Sequence, residues 1–149
     1  MQVLRFNPWH VDTLLAAHQV MRNFGQHGDA ADVLERALYA LEMAWHPKFG
    51  AAAQEGRARL AFDEEANRPL FAALFQHVAS LSRRGCHRTA LECGKVLLSL
   101  DRSDPKGAVC SDRLLGTRAS GSHPGPGLTL RGPHRTALLH RLLCPQGRG

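Results

Sequence analysis

No apolar run in this chain approaches the roughly 20 residues that a bilayer-spanning helix needs. Arg5 interrupts the early apolar run that a secretory leader would require. Acidic residues are nearly missing from one end: residues 105–149 hold seven Lys and Arg but one carboxylate, Asp112. The four cysteines, Cys86, Cys93, Cys110 and Cys144, show neither metal-ligand spacing nor a disulfide framework. The expectation is free thiols in a reducing compartment, with Cys93 a core thiol. A phosphate-cradling glycine loop, an H-E-x-x-H pair and a nucleophile elbow are also missing, and the nine histidines are scattered. These gaps predict a chain that is not an enzyme, has no catalytic residue, no cofactor and no metal, and makes no membrane contact.

What the chain has is helical periodicity. From Gly25 to Pro47, the residues Ala30, Val33, Leu34, Ala37, Leu38, Leu41 and Ala44 recur at i, i+3, i+4, i+7. Asp29 is the expected N-cap, Pro47 the expected stop, and Glu35 and Arg36 belong to the wet face. Gly85 to Pro105 repeats the plan sixty residues later: Gly25 falls on Gly85, Ala30 on Ala90 and Leu38 on Leu98. A glycine that ends one helix, with small residues five and twelve positions on, is the spacing of tetratricopeptide-type hairpins. The first unit follows it with Gly25, Ala30 and Ala37; the second puts Leu97 in the third place.

Each long helix follows another. Residues 1–10 read as extended, turning at Asn7-Pro8. Val11–Phe24 reads as a helix with an inner stripe of Leu14, Ala17, His18 and Met21, His18 being a core or boundary histidine. Trp9 and Trp45 are expected at helix seams. Residues 48–66 read as a connection longer than compact helical repeats use, pinned by Phe49, Leu60 and Phe62, with Asp63, Glu64 and Glu65 near the next helix start. Asn67 and Pro69 open that helix, whose stripe is Leu70, Phe71, Leu74, Val78 and Leu81 and whose end is Arg83-Arg84-Gly85. The last helix spans about Arg88–Leu100. The predicted fold is all-α: tetratricopeptide-like helical hairpins, about four helices, over residues 1–105.

Charge divides the chain. Residues 1–104 hold twelve basic and twelve acidic residues, so the whole net charge of +6 lies beyond them. Residues 106–149 therefore form a second region, a basic Gly/Pro/Arg-rich tail expected to be disordered. Within it His134–Leu143, HRTALLHRLL, has the pattern of a short basic amphipathic helix, and gives the tail a weak expected contact with RNA. In the helical region Arg83, Arg84 and Arg88 cluster around one turn and are the candidate ribosome or RNA contacts. Their structural role would be to complement a helix C-terminus.

Four ordered blocks carry a family resemblance: NPWHVDTLL (Asn7–Leu15), VLERALYALEMAWHPKF (Val33–Phe49), Arg59-Leu60 followed by NRPLF (Asn67–Phe71), and RRGCHRTALECGKVLLSLD (Arg83–Asp101) with Asp104-Pro105. Together they resemble the transcription factor 25 family, whose fungal relatives are known as ribosome quality control complex subunit 1. The resemblance implies a non-enzymatic adapter, cytoplasmic and nuclear, that joins the large ribosomal subunit to a listerin-type ubiquitin ligase. It would assist ubiquitination of incomplete nascent chains. Family members are several times longer, so the resemblance implies a central fragment, with a tail after Lys106 that departs from the family as a shifted reading frame would. Two alternatives stand beside this: a nucleic-acid-binding transcriptional regulator acting through the tail, and a non-functional truncated product with an uncovered apolar end.

Overall fold

The computed structural model describes residues 3–103. The tail from Lys106, with His134–Leu143, lies outside the described residues, as do Asp104 and Pro105. The elements in chain order are α1 (Val3–Phe6), α2 (Val11–Asn23), α3 (His27–Met43), α4 (Pro47–Gln54), a 3-10 turn (Glu65–Asn67), α5 (Arg68–Arg83) and α6 (His87–Leu100). Among the described residues there is no strand. α2 pairs with α3 and α5 with α6, giving two helical hairpins, and α3 and α2 both pack on α5.

The sixty-residue repeat is a repeat of backbone geometry. Gly25 and Gly85 both have φ of 78°, the left-handed region where a Cβ is costly. At each, the helix ends with the same bond pair: Gly25 N–H to Arg22 O and Gln26 N–H to Met21 O, then Gly85 N–H to Ser82 O and Cys86 N–H to Leu81 O. These satisfy carbonyls that the helix end leaves open. The next helix restarts with Ala30 N–H to Gln26 O and Ala90 N–H to Cys86 O, both 3.0 Å. Ala30 and Ala90 are buried, as are Ala37 and Leu97. A Cβ at Gly25 or Gly85 would meet no atom within 4 Å, so only backbone strain opposes it. Gly25→Ala and Gly85→Ala are each expected to lose about 1 kcal/mol in urea unfolding, and to lose it equally.

One core runs through both hairpins. Leu34 and Leu38 of α3, Leu70, Phe71, Ala73 and Leu74 of α5, and Leu97 and Leu100 of α6 form a single buried cluster with Ala58. Phe71, fully buried, meets Phe62 edge-on at 5.5 Å. A smaller cluster of Val78, Leu81, Ala90 and Cys93 fills the far end of α5 and α6. Burial pushes the Cys93 thiol up to about 12 with some help from Glu92, as suits a core cysteine. His18 is buried too, with Nδ1 2.8 Å from Ala30 O. A carbonyl only accepts, so Nδ1 carries the proton, and Nε2 is buried without a partner.

Several boundaries differ from the sequence reading. Residues 3–6 are helical rather than extended; four residues are too few for periodicity to decide. α3 starts at His27 with Gln26 as N-cap, so Asp29 is its third residue and Gly28 its second. Asp29 there still meets the positive end of the helix dipole. α3 ends at Met43, and Pro47 is the first residue of α4, with His46 Nδ1 accepting from the Lys48 N–H at 3.2 Å. Proline at the first helical position followed by three alanines favours a helix start, so the 48–66 connection contains α4. The rest is pinned as expected: Phe49, Leu60 and Phe62 pack on the core. Leu60 N–H also bonds to Leu100 O at 3.0 Å and Phe62 N–H to Asp101 Oδ2 at 3.0 Å. Hydrogen bonds from the Ser103 hydroxyl, the Ser103 N–H and the Phe62 N–H hold the Asp101 carboxyl below its usual range. The acidic run makes no side-chain cap at α5.

Candidate interaction surface

The α5–α6 turn presents the three predicted arginines. Arg83 is the last residue of α5, Arg84 its C-cap and Arg88 the second residue of α6. All three are exposed. The structure thus brings them to one turn, yet they are not equivalent. Arg84 faces the first hairpin: its charge opposes the upward push that burial gives the Glu35 carboxyl, while Asp32 adds to that push. Burial, and then Arg84, push His77 down to about 4. A guanidinium with a carboxylate before it is partly neutralised, so Arg83 and Arg88 are the freer cations for a phosphate or carboxylate.

Charge also divides between the hairpins. Residues 3–46 carry five carboxylates against three arginines, net −2; residues 68–103 carry six basic residues against two acidic ones, net +4. The balance of zero over residues 1–104 concealed this. Summing charge by hairpin would have exposed it in the sequence.

A second constellation lies at the start of the first hairpin, within the NPWH stretch. Asn7 Oδ1 accepts from the Trp9 N–H at 3.3 Å, and His10 Nδ1 caps α2 by accepting from the Thr13 N–H at 3.3 Å. Arg36 Nη2 donates to Pro8 O at 3.1 Å, and its guanidinium lies 5.6 Å from the Trp9 ring centroid. Tyr39 packs tilted on the same ring at 5.6 Å. Glu35 and Arg36 are therefore half-buried, not on the wet face as the periodicity suggested. Trp45 sits where expected, edge-on to Phe49 at 4.9 Å and against the core. Trp9 does not: it stays 41% exposed. Tryptophan, tyrosine and arginine held in fixed positions are the side chains that dominate protein interfaces. No local pattern joins Trp9 to Arg36, which lie far apart in sequence.

Among the described residues no group of three metal-ligating side chains could hold an ion, and no helix is long and apolar enough to cross a membrane. Comparison with known proteins then supplies the lineage. A family profile described as "Transcriptional repressor TCF25" matches residues 1–112. The chain is 40% identical over 105 residues to "Ribosome quality control complex subunit 1" of Schizosaccharomyces pombe, covering 70% of this chain and 16% of that protein. It is 36% identical over 104 residues to "Ribosome quality control complex subunit TCF25" of Dictyostelium discoideum, covering 70% and 14%. It is 40% identical over 99 residues to the protein of that name from Homo sapiens, covering 66% and 14%. The chain thus spans about one-seventh of the length of these relatives. No solved structure matches it. With the four sequence blocks, Asp104-Pro105 apart, lying in α2 to α6 and their turns, and the profile covering all of them, the chain belongs to the TCF25 family.

Proposed function

We propose that this chain is a non-enzymatic adapter in ribosome-associated quality control, acting in the cytoplasm and nucleus. The observation that carries the reading is the family match to relatives named ribosome quality control complex subunits. The stacked hairpins support it, because such arrays offer extended faces for binding other proteins. Its partners are then the large ribosomal subunit and a listerin-type ubiquitin ligase, and its role is to help that ligase act on incomplete nascent chains. Arg83 and Arg88 contact ribosomal RNA from the basic second hairpin, with Arg84 contributing less because it faces Glu35.

Co-sedimentation of the full chain with large subunits bearing stalled nascent chains tests this across a salt series. Each phosphate contact removed should lower the salt dependence of log K by about one. Arg83→Ala and Arg88→Ala should each do so, and Arg84→Ala should do less. Binding unchanged in the triple variant would remove the arginine turn from the interface; no binding by the unaltered chain would overturn the adapter reading.

A transcriptional reading has its own support in the family description and in a relative named "Probable transcription factor claV" from Ampulloclitocybe clavipes, 42% identical over 103 residues. It places nucleic-acid contact in the basic tail. Arg131, Arg135, Arg141 and Arg148 changed to Gln should then abolish DNA and RNA binding while leaving ribosome association intact.

A further inference from the structure

Residues 57–62 carry the chain from α4 towards the 3-10 turn with no helix of their own. Gly56 ends α4 in front of them, with its N–H on Ala53 O at 3.1 Å and the Arg57 N–H on Ala52 O at 2.8 Å. Beyond it burial alternates. Ala58 is buried and Leu60 and Phe62 are half-buried, while Arg57, Arg59 and Ala61 are exposed. A period of two is the pattern of an extended segment with one face turned inward. That face lies on the core shared by both hairpins: Leu60 and Phe62 pack on the cluster, and the Phe62 ring meets Phe71 edge-on. This strap therefore helps to close the core over its central aromatic.

The C-terminal end of α6 holds the strap through two consecutive residues. Leu100 O accepts the Leu60 N–H at 3.0 Å, and Asp101 Oδ2 accepts the Phe62 N–H at 3.0 Å. The other carboxylate oxygen, Oδ1, accepts the Ser103 N–H at 2.9 Å and the Ser103 hydroxyl at 2.7 Å. Bonds to an ionised carboxylate are charge-assisted, and the pair from Ser103 fixes the direction in which Oδ2 points. From the α5 side the strap is held by Asn67 Nδ2 on Ala61 O at 2.9 Å and by the Arg68 guanidinium, 6.0 Å from the Phe62 ring centroid. The Arg59 guanidinium only bonds back to the carbonyls of Gly56 and Ala58. A segment with few buried side chains and much exposed backbone opens at lower free energy than the core beneath it.

We propose that residues 57–62 are a strap that opens and closes as one unit over Phe71, latched by Asp101, without unfolding of either hairpin. Asp101 is a positioning residue: its own Oδ2 sets Phe62, the carbonyl before it sets Leu60, and the two bonds form and break together. Ser103 aims the carboxylate, so the path of the chain leaving α6 is coupled to whether the strap is shut. When it opens, Phe71 loses the cover of Phe62 and the shared core meets solvent there.

Native-state amide hydrogen exchange on the full chain tests this. In the unaltered protein Leu60 and Phe62 should share one protection factor, lower than those of Leu74 and Leu97 in the hairpin core and less sensitive to urea. Asp101→Ala leaves the acceptor of Leu60 in place, since that is Leu100 O. The Leu60 amide should nevertheless lose protection by about tenfold, the scale of a bond to a charged group. Ser103→Ala leaves both strap acceptors in place and should lower Leu60 and Phe62 by one common, smaller factor. Three results overturn the proposal. Leu60 unchanged in Asp101→Ala would make the two bonds independent. Leu60 and Phe62 as protected as Leu74 and Leu97 would mean that the strap opens only on global unfolding. Unequal losses at Leu60 and Phe62 in Ser103→Ala would break the unit.

Discussion

Phe71→Ala is expected to lower the unfolding free energy by about 3–5 kcal/mol, the range for truncating a fully buried aromatic. Folded domains are stable by only about 5–15 kcal/mol, so the variant sits near the folding threshold. Phe71 lies at the centre of the cluster joining α3, α5 and α6, which makes the loss global rather than confined to one hairpin. Urea unfolding followed by far-ultraviolet circular dichroism measures it. Phe62→Ala adds a second test. Its ring meets Phe71 edge-on, and such pairs contribute about 0.5–1.5 kcal/mol beyond area burial. The double-mutant cycle of Phe62 and Phe71 should return a coupling of that size. A coupling near zero would mean that the connection between α4 and α5 is not held through this contact.

The second large effect is a pH dependence. Burial and Arg84 hold the His77 imidazole down to about 4, from an ordinary value of 6.5. Above pH 6.5 both folded and unfolded chains hold it neutral, and it contributes no slope. Between 6.5 and 4 the unfolded chain takes up a proton that the folded chain refuses. Stability therefore falls as the pH drops through this window, by up to roughly 3 kcal/mol in all. Glu35 acts the other way. Its carboxyl is pushed up by burial, so the folded state takes a proton first and acid stabilises it there. Comparing wild type with His77→Leu cancels the Glu35 contribution. Between pH 7 and pH 5 the wild type should lose about 2 kcal/mol more than the variant. Parallel curves over that interval would show that His77 is protonated as readily in the folded protein as in the unfolded one.

The family resemblance fitted these helices because its blocks coincide with structural necessities. Gly85 ends α5 in a left-handed backbone conformation that strains any other residue, and Ala90 is fully buried where a larger side chain would not fit. The candidate arginines were legible as a cluster because they surround a glycine that ends a helix. Their inequality was not, since the carboxylate facing Arg84 comes from α3, far away in sequence.

The sequence by itself determined the four long helices, the stripe Leu70, Phe71, Leu74, Val78 and Leu81, the two equivalent glycine turns and the hydrophobic anchors of the connection. Each of these depends on local spacing or on a residue's own backbone preference. The cradle of Trp9 between Arg36 and Tyr39 was decided only by tertiary structure. So were the exposure of Val20 on α2 and the low proton affinity of His77. All are settled by which element packs on which. Periodicity shows that a helix has a buried side, but burial of a particular residue depends on whether a neighbour is present to cover it. Val20 stays exposed on α2, while Ser80, sixty positions on in α5, is covered.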